Sequence, residues 1–301
     1  MIYLNAITLK KILIIINRKA GTNRQKLLDA HIARHFPENA FHVETVYLAY
    51  MGHGEDLAKD AVTRHFDIVV AVGGDGSINE IARGLRGSKT ALGIIPLGSG
   101  NGLARALKIP LNIDKAMELI VTGRPRPMDV GFANEHLFLS NAGLGFDAKV
   151  AEEFRHTKHR GLYGYASQVI KSFRNYRYLP YHIEIDGKTI EEPAFLLTIA
   201  NSNQFGFEFK LAADATVFDG QFDLCLVRPI SFWQLAPLSF HSLMGNLEKT
   251  DFMQHYTGRT VTINSEQLEC LQVDGDAVPL SNDQQVTFRL EPGALQVIVA
   301  E

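Results

Sequence analysis

The sequence predicts an α/β domain with a doubly wound parallel sheet, followed by an antiparallel β-sandwich domain. Up to about residue 130, buried-strand runs alternate with segments of helical periodicity, as expected for strands joined by crossover helices. From residue 131 onward, short strand-like runs are bounded by turn residues, which favours a sandwich. The boundary falls near the Arg-Pro-Arg-Pro stretch 124–127. We therefore predict domains over 1–130 and 131–301, a last strand able to pack back toward the first domain, and an active site in the cleft between them.

The individual elements follow from apolar runs for strands and from one apolar face for helices. Ile78, Ile81 and Leu85, for example, share one face of the third helix. In the first domain the predicted strands are 12–17, 41–48, 67–72 and 92–95, and the predicted helices are 23–36, 55–64, 77–85 and 113–122. In the second domain the predicted strands are 136–141, 182–185, 194–200, 222–227, 260–263, 285–290 and 294–299.

The composition is typical of a globular enzyme with two domains. Of the 301 residues, 46% are hydrophobic, which is enough for one large or two medium cores. The net charge is −3 at pH 7, so no basic field predicts nucleic-acid binding. No apolar run reaches the length of a membrane-spanning helix, and Lys10 and Lys11 interrupt the N-terminal apolar stretch. We therefore expect neither an integral membrane protein nor a signal peptide.

A first glycine turn, Gly73-Gly74-Asp75-Gly76, ends a predicted strand and opens a predicted helix. Glycines let a ligand approach the main chain, and the helix N-terminus supplies unpaired N–H groups and a positive dipole end. Phosphate is the expected occupant. Asp75 would repel it unless a metal ion lies between them or the carboxylate acts on a proton. The turn therefore predicts phosphate with Mg²⁺, although similar turns also serve as plain strand-to-helix connections.

A second glycine turn, Gly98-Ser99-Gly100-Asn101-Gly102, follows the next predicted strand and leads into another helical segment. Two such turns in succession favour a nucleotide site over a simple connection. Neither turn matches the Walker A pattern or the dinucleotide fingerprint Gly-x-Gly-x-x-Gly. The nucleotide site must therefore be of another kind.

The stretch 73–80 followed by 96–101 resembles the motif pair of the diacylglycerol, sphingosine and ceramide lipid kinase superfamily. The NAD kinases share the first motif. The resemblance implies that ATP binds at both turns. The implied nucleotide contacts are Gly73, Gly74, Asp75, Gly76, Ser77, Asn79, Glu80, Gly98, Ser99 and Asn101.

Other segments extend the resemblance over nearly the whole chain. The stretch 12–21 is similar to the family's opening strand and nucleotide loop, which implies nucleotide contacts from Asn17 and Gly21. Arg18 stands where proline is usual in that loop. The segment around Thr45 resembles the one that places a threonine near the nucleotide.

The resemblance also implies two magnesium sites. Asp129, in an Asp-x-Gly step, would join Asp75 in a water and Mg²⁺ network, from which one carboxylate is missing because Gly102 stands where Asp is frequent. The stretch 216–223 resembles the loop that binds a structural Mg²⁺ in bacterial lipid kinases. Its implied ligands are the Asp219 side chain and two main-chain carbonyls, with the set falling on Thr216, Asp219 and Gln221. The alternative is an ordinary Asp-Gly turn between two strands.

The stretch 273–277 resembles the family's Asp-Gly-Glu motif, which supplies the base that accepts the proton of the lipid hydroxyl. Asp276 replaces the glutamate, keeping the charge but shortening the reach. In extended geometry Asp274 and Asp276 would point to the same side, whereas a turn at Gly275 would leave only one inside. The base is therefore either Asp274 or Asp276.

Together these features predict a lipid kinase that requires ATP and Mg²⁺. Diacylglycerol ranks first as acceptor, giving phosphatidic acid, ahead of a sphingoid base or ceramide. An NAD kinase-like enzyme and a non-catalytic nucleotide-binding module are the alternatives. We expect a cytoplasmic protein that meets its lipid substrate transiently at the inner membrane face, with no nucleic-acid partner, and leave a homodimer open.

Two further segments are candidates for lipid contact. The stretch 156–181 mixes basic and aromatic residues, which suits either a helix at a membrane interface or a helix packed on the sandwich by its aromatic side. The stretch 231–256 carries large apolar residues that either line a pocket for lipid tails or pack in the core.

Overall fold

The structure, a computed structural model, describes residues 9–18, 20, 28–155, 162–174, 176–204, 210–266, 268–280 and 285–300. Its helices are α1 (Leu28–His35), α2 (His53–Thr63), α3 (Asp75–Leu85), α4 (Gly102–Ala106), α5 (Ile113–Thr122), α6 (Phe146–Arg155), α7 (Leu162–Phe173) and α8 (Leu235–Met244). Short 3-10 helices lie at Phe232–Gln234 and Leu247–Lys249.

The strands belong to two compact units, the first made of Met1–Pro127 and Ala294–Glu301 and the second of Met128–Gly293. They are β1 (Lys10–Ile16), β2 (Phe41–Tyr47), β3 (Ile68–Gly73), β4 (Ala91–Pro96), β5 (Arg124–Ala133), β6 (His136–Phe138), β7 (Asn141–Gly145), β8 (Leu179–Ile185), β9 (Lys188–Ala194), β10 (Leu196–Ala200), β11 (Phe222–Val227), β12 (Met253–Gly258), β13 (Thr260–Asn264), β14 (Cys270–Val273), β15 (Asp276–Pro279) and β16 (Gln285–Val299).

The first unit is built on a parallel sheet in the order β2-β1-β3-β4, joined by the carboxyl end of β16 beside β4. Strands β1, β3 and β4 are buried along their apolar runs. Helices α2 and α3 pack closely against each other, because a Cβ on Gly84 of α3 would lie only 2.5 Å from the main-chain oxygen of Glu55 in α2. His31 of α1 bonds Asp114 of α5 at 2.7 Å. This arrangement places the carboxyl ends of β1, β3 and β4 side by side.

The second unit is a β-sandwich. One sheet has the order β12-β11-β10-β7-β14-β15, and the other contains β16-β13-β8-β9 with β5 beside β16 and β6 beside β5. Buried residues of both sheets form one core, for example Leu224 and Leu197 from the first sheet and Val261 and Phe288 from the second. Phe138 and Phe222 stack in this core with ring centroids 5.4 Å apart.

The predicted fold class is confirmed, and the structure corrects several element bounds. The stretch 136–141, predicted as one strand, covers β6 and only the first residue of β7, whereas 285–290 and 294–299 belong to the single strand β16. Helix α6 was not predicted. Within 156–181 the described helix is α7, and residues 156–161 lie outside the described part of the chain. In the described residues, no helix is long and apolar enough to cross a membrane.

Candidate functional site

The two glycine turns contact each other, main chain to main chain, at the carboxyl ends of β3 and β4. The Leu97 N–H donates to the Gly73 carbonyl at 2.8 Å. A Cβ on Gly98 would lie 2.6 Å from the Cα of Gly74, closer than real Cβ atoms approach. A side chain at Gly98 would push the turns apart, and a Cβ on Gly74 would lie a tight 3.1 Å from the Cα of Gly98. The two turns can approach this closely only because Gly74 and Gly98 have no side chains.

Asn17 ties the end of β1 to the first turn. Its N–H donates to the Val72 carbonyl at 2.9 Å, and its Nδ2 donates to Oγ of Ser77 at 2.8 Å. A Cβ on Gly73 would lie 2.9 Å from that same Oγ. The structure thus brings three of the predicted nucleotide residues, Asn17, Gly73 and Ser77, into one cluster.

Asn101 and Arg105 brace the second turn. Asn101 adopts the left-handed conformation with φ 53°, is buried, and donates from Nδ2 to the Gly98 carbonyl at 2.9 Å. Nε of Arg105 donates to the Gly100 carbonyl at 3.2 Å. Sequence reasoning missed Arg105, although an arginine in the helix that follows a glycine turn was a usable signal. Ser99, between these bonds, is exposed.

Asp75 is the first residue of α3 and is half-buried. Within the described chain, the one hydrogen bond recorded for its carboxylate is from the Leu103 N–H at 3.4 Å, which is long. Its Oδ2 lies 3.3 Å from the position that a Cβ on Gly100 would take. The carboxylate therefore faces the second turn and keeps most of its capacity to accept bonds.

The remaining predicted nucleotide residues are placed differently. Oε2 of Glu80 accepts the Gly54 N–H at 3.2 Å, so this side chain braces the start of α2. Thr45 is exposed on the edge strand β2, paired with Ile14. Asn79 is buried and Gly76 exposed in the first turn of α3. Gly21 lies outside the described residues.

The departure at Arg18 has a structural partner. The Arg18 guanidinium lies over the ring of Tyr47, 4.0 Å from its centroid, which is cation–π geometry. Arg18 follows β1 and Tyr47 ends β2, so the pair lies at the same sheet edge as the glycine turns.

Asp129, in the second unit, holds two loops. It is buried, and its two carboxylate oxygens accept the Gly220 N–H at 2.7 Å and the Gly293 N–H at 2.8 Å. Asn201 supports it by donating to the Asp129 carbonyl at 3.0 Å and to the Leu139 carbonyl at 2.8 Å. Sequence reasoning missed Asn201, a polar residue directly after the apolar run of β10.

The predicted structural metal loop lies beside further carboxylates. Oδ1 of Asp219 accepts the Gln221 N–H at 3.0 Å, and partial burial raises the pKa of Asp219, helped by the charges of Asp223 and Asp129. His255 bonds Asp223 at 2.7 Å, which raises the pKa of that histidine. A cation would relieve this excess of negative charge.

The donors of that loop fit a hard divalent cation only if main-chain oxygens take part. Thr216 and Gln221 are exposed, so their carbonyls and the Asp219 carboxylate belong to a surface loop. Among the described residues, no group of three or more His, Cys, Asp or Glu side chains is arranged to hold a metal. Carbonyls and one carboxylate are nevertheless the oxygen donors that Mg²⁺ and Ca²⁺ accept.

The Asp274-Gly275 step forms the two-residue turn of the hairpin β14–β15, in which Val273 pairs with Asp276. Both turn residues have positive φ, 48° and 90°. The Asp274 carboxylate accepts three main-chain N–H groups, from Leu139 at 2.8 Å, Ser140 at 2.8 Å and Asn141 at 3.1 Å. It therefore fixes the segment between β6 and β7.

Asp276 opens β15 and is exposed, next to the buried Ala277. The extended geometry that would have placed Asp274 and Asp276 on the same side does not apply, because the turn conformation of Asp274 breaks the alternation. The two carboxylates consequently have different surroundings: one is bonded to main-chain amides, and the other lies at the surface.

Two protein-family models match this chain, one over its N-terminal part and one over its C-terminal part. Residues 11–133 match the family model described as diacylglycerol kinase catalytic domain, and residues 140–299 match the YegS C-terminal NAD kinase beta sandwich-like domain. Together the two matches indicate the class of lipid kinases. The chain belongs to the diacylglycerol kinase family within that class.

Individual relatives agree. A diacylglycerol kinase of Bacillus subtilis strain 168 is 29% identical over 274 residues, covering 89% of this chain and 90% of the relative. A diacylglycerol kinase of Staphylococcus aureus strain JH9 is 30% identical over 225 residues, covering 73% and 71%. The crystal structure of a diacylglycerol kinase from Bacillus anthracis strain Sterne matches with a TM-score of 0.72, 22% identity and coverage of 96% and 97%, which supports the fold.

Proposed function

We propose that this lipid kinase transfers the γ-phosphoryl group of ATP, in the presence of Mg²⁺, to the hydroxyl group of diacylglycerol. The observation that carries the proposal is the contact of Gly74 with Gly98, beside the half-buried carboxylate of Asp75. Phosphoryl transfer needs in-line positioning, neutralised charge and a base for the hydroxyl, and little covalent help from the protein.

The phosphates of ATP would bind to main-chain N–H groups of the two turns and to the N-terminus of α3. The Asn17 and Ser77 side chains fix the turn from the β1 side. Arg18 adds a positive charge at this sheet edge, held by Tyr47. These groups bind and orient the nucleotide.

Two sets of residues offer oxygen ligands of the kind that Mg²⁺ accepts. Asp75 would hold the ion that neutralises phosphate charge when bound. Thr216, Asp219 and Gln221 would hold a second, structural ion, and the observation that favours a cation there is the exposed loop that brings the Asp219 carboxylate and main-chain oxygens together near Asp223. Its role would be to stabilise the loop.

We assign the base to Asp276. The Asp274 carboxylate already accepts three main-chain N–H groups, and protonating it would weaken all three bonds. Asp276 occupies the glutamate position of the motif and is exposed. It would accept the proton of the lipid hydroxyl as the oxygen attacks the γ-phosphorus.

Diacylglycerol remains first among acceptors because the relatives above carry the name diacylglycerol kinase. A lipid acceptor implies peripheral, transient contact with the inner face of the membrane.

The deciding experiment incubates purified protein with labelled ATP and a panel of diacylglycerol, a long-chain sphingoid base, ceramide, monoacylglycerol and NAD. Labelled phosphatidic acid is the expected product, and EDTA should abolish it. Label in another lipid would change the acceptor. ATP binding without transfer to any acceptor would instead favour a nucleotide-binding module without catalysis.

A further inference from the structure

We propose that residues 231–244, the 3-10 helix Phe232–Gln234 together with α8, form the surface by which this protein docks on an anionic lipid membrane. This inference rests on the proposed function, because a kinase acting on diacylglycerol must reach a lipid that resides in the bilayer. We call this stretch the docking segment.

The docking segment exposes large apolar side chains. Trp233 is 84% exposed and Phe240 60%, and Phe232, Leu243 and Met244 are also exposed. The stretch 231–244 contains no Asp, Glu, Lys or Arg. Exposed apolar clusters of this kind mark protein or membrane contacts rather than ordinary surface.

The docking segment is anchored to the second unit by buried side chains and hydrogen bonds. Leu238 and Ile230 lie in a core cluster of the second unit, and Oγ of Ser242 donates to the Lys210 carbonyl at 3.0 Å. The Gln234 side chain accepts the Ser231 N–H at 2.7 Å and its hydroxyl at 2.8 Å, which fixes the start of the segment. The exposed aromatic groups are therefore presented by an ordered element with its own buried face.

Basic residues lie close to the docking segment. Phe232 contacts Phe173 of α7 with ring centroids 5.8 Å apart, and the Tyr178 hydroxyl donates to the Ile230 carbonyl. These contacts place the end of α7 and the residues after it beside the segment. The exposed cations Lys171, Arg174 and Arg177 lie at or just after this end of α7, and the Lys210 side chain reaches Gly245 at the end of α8. Arg228 and Lys249 flank the segment along the chain, against one exposed carboxylate, Asp251.

An anionic lipid surface suits this pattern better than the other occupants. Helix α8 has 10 residues, too few to span a bilayer, but an apolar face with flanking cations and a tryptophan is typical of an interfacial helix. A second copy docked face to face would bring the same cations together across a two-fold axis. The cations occur on a chain whose net charge is −3, so the local charge opposes the overall charge.

Trp233 provides a direct probe, because it is the chain's single tryptophan. With phosphatidylglycerol vesicles, its emission should shift to the blue and be quenched by brominated acyl chains. Phosphatidylcholine vesicles or high salt should weaken both effects, since the cations then contribute less.

Variants test the surface by vesicle co-sedimentation. Phe240→Ser should weaken binding to phosphatidylglycerol vesicles about tenfold, and Arg174→Gln severalfold. Met51→Ser is the matched control, because Met51 is 93% exposed but belongs to the first unit. The Met51→Ser variant should bind these vesicles as well as the wild type does. Melting temperatures of all variants exclude misfolding.

Three results would overturn the proposal. The wild type could co-sediment with vesicles while the Trp233 emission stays unchanged, or it could fail to co-sediment. Alternatively, the Trp233 emission could shift to the blue in the absence of vesicles, together with a doubled molecular mass. The last result would assign the surface to a homodimer. Failure of the kinase proposal looks different, because wild-type protein would then not phosphorylate even a short-chain, water-soluble diacylglycerol, whatever the emission does.

Discussion

The glycine turns of the first unit and the Asp-Gly turns of the second unit fix their loops in opposite ways. In the first unit the main chain packs on main chain at Gly74 and Gly98, so the Asp75 carboxylate is not required to hold the turn. In the second unit the carboxylates of Asp129 and Asp274 hold the loops themselves. An aspartate in a glycine-rich motif is thus available for chemistry where something else fixes the backbone.

The largest effect is expected at Asp276, which the hairpin exposes while its neighbour Asp274 is bonded to amides. Asp276→Asn should lower turnover by about two to four orders of magnitude, because the base is lost, with little change in ATP affinity. Steady-state kinetics with diacylglycerol and a nucleotide-binding titration measure both quantities.

Asp251→Asn is the matched control for this variant, since Asp251 is also an exposed carboxylate of the second unit and should leave turnover unchanged. Full activity in Asp276→Asn, in Asp274→Asn and in the double variant would rule out a carboxylate base from this hairpin.

The next effect concerns the first unit. Asp75→Asn keeps the shape of the side chain but removes the charge proposed to hold Mg²⁺, so turnover should fall at least about a hundredfold. The melting temperature should stay close to that of the wild type, because main-chain contacts fix the turn. Asp29→Asn, at an exposed site in α1, serves as control. Turnover near that of the wild type would remove Asp75 from the mechanism.

For Asp274 we expect loss of stability instead. Asp274→Asn replaces one acceptor oxygen by an amino group that faces the N–H donors of 139–141, so the free energy of unfolding should fall by about 2–3 kcal/mol. Denaturant titration measures it. Unchanged stability with a hundredfold loss of turnover would make Asp274 the base and would break the comparison between the two units.

The sequence was sufficient for the fold because strand and helix patterns are local. The strands 41–47 and 222–227 and the helix 113–122 appear almost where the pattern predicts them. The motifs also identified the glycine turns. The roles of their aspartates were not readable, because the groups that bond Asp274 lie at 139–141, more than a hundred residues away along the chain.

Asp147, at the start of α6, differs from both kinds of aspartate and was not singled out by the sequence. It is 5% exposed, and no ion pair to it is found among the described residues. Burial raises its pKa from 3.8 to about 7, although the amides of Asp147 and Ala148 and the Thr198 hydroxyl lower it. The neighbouring Tyr181 is buried and Tyr176 partly buried, which raises the pKa of each, so neither carries charge near neutral pH.

This environment predicts a dependence of stability on pH. Since the pKa of Asp147 is raised in the folded state, its contribution to stability is fully present below the ordinary pKa of 3.8 and is lost as the pH rises to about 7. Between pH 6 and pH 8 the loss should be on the order of 1 kcal/mol. Asp147→Asn cannot ionise, so this part of the slope should disappear.

The measurement is the difference in free energy of unfolding between wild type and Asp147→Asn at the two pH values. Taking this difference cancels other titrating groups, including His255, whose pKa is raised by Asp223. Because the variant avoids burying a charge at pH 8, its advantage over the wild type should be larger there than at pH 6. An equal difference at both pH values would show that Asp147 ionises alike in the folded and unfolded chains.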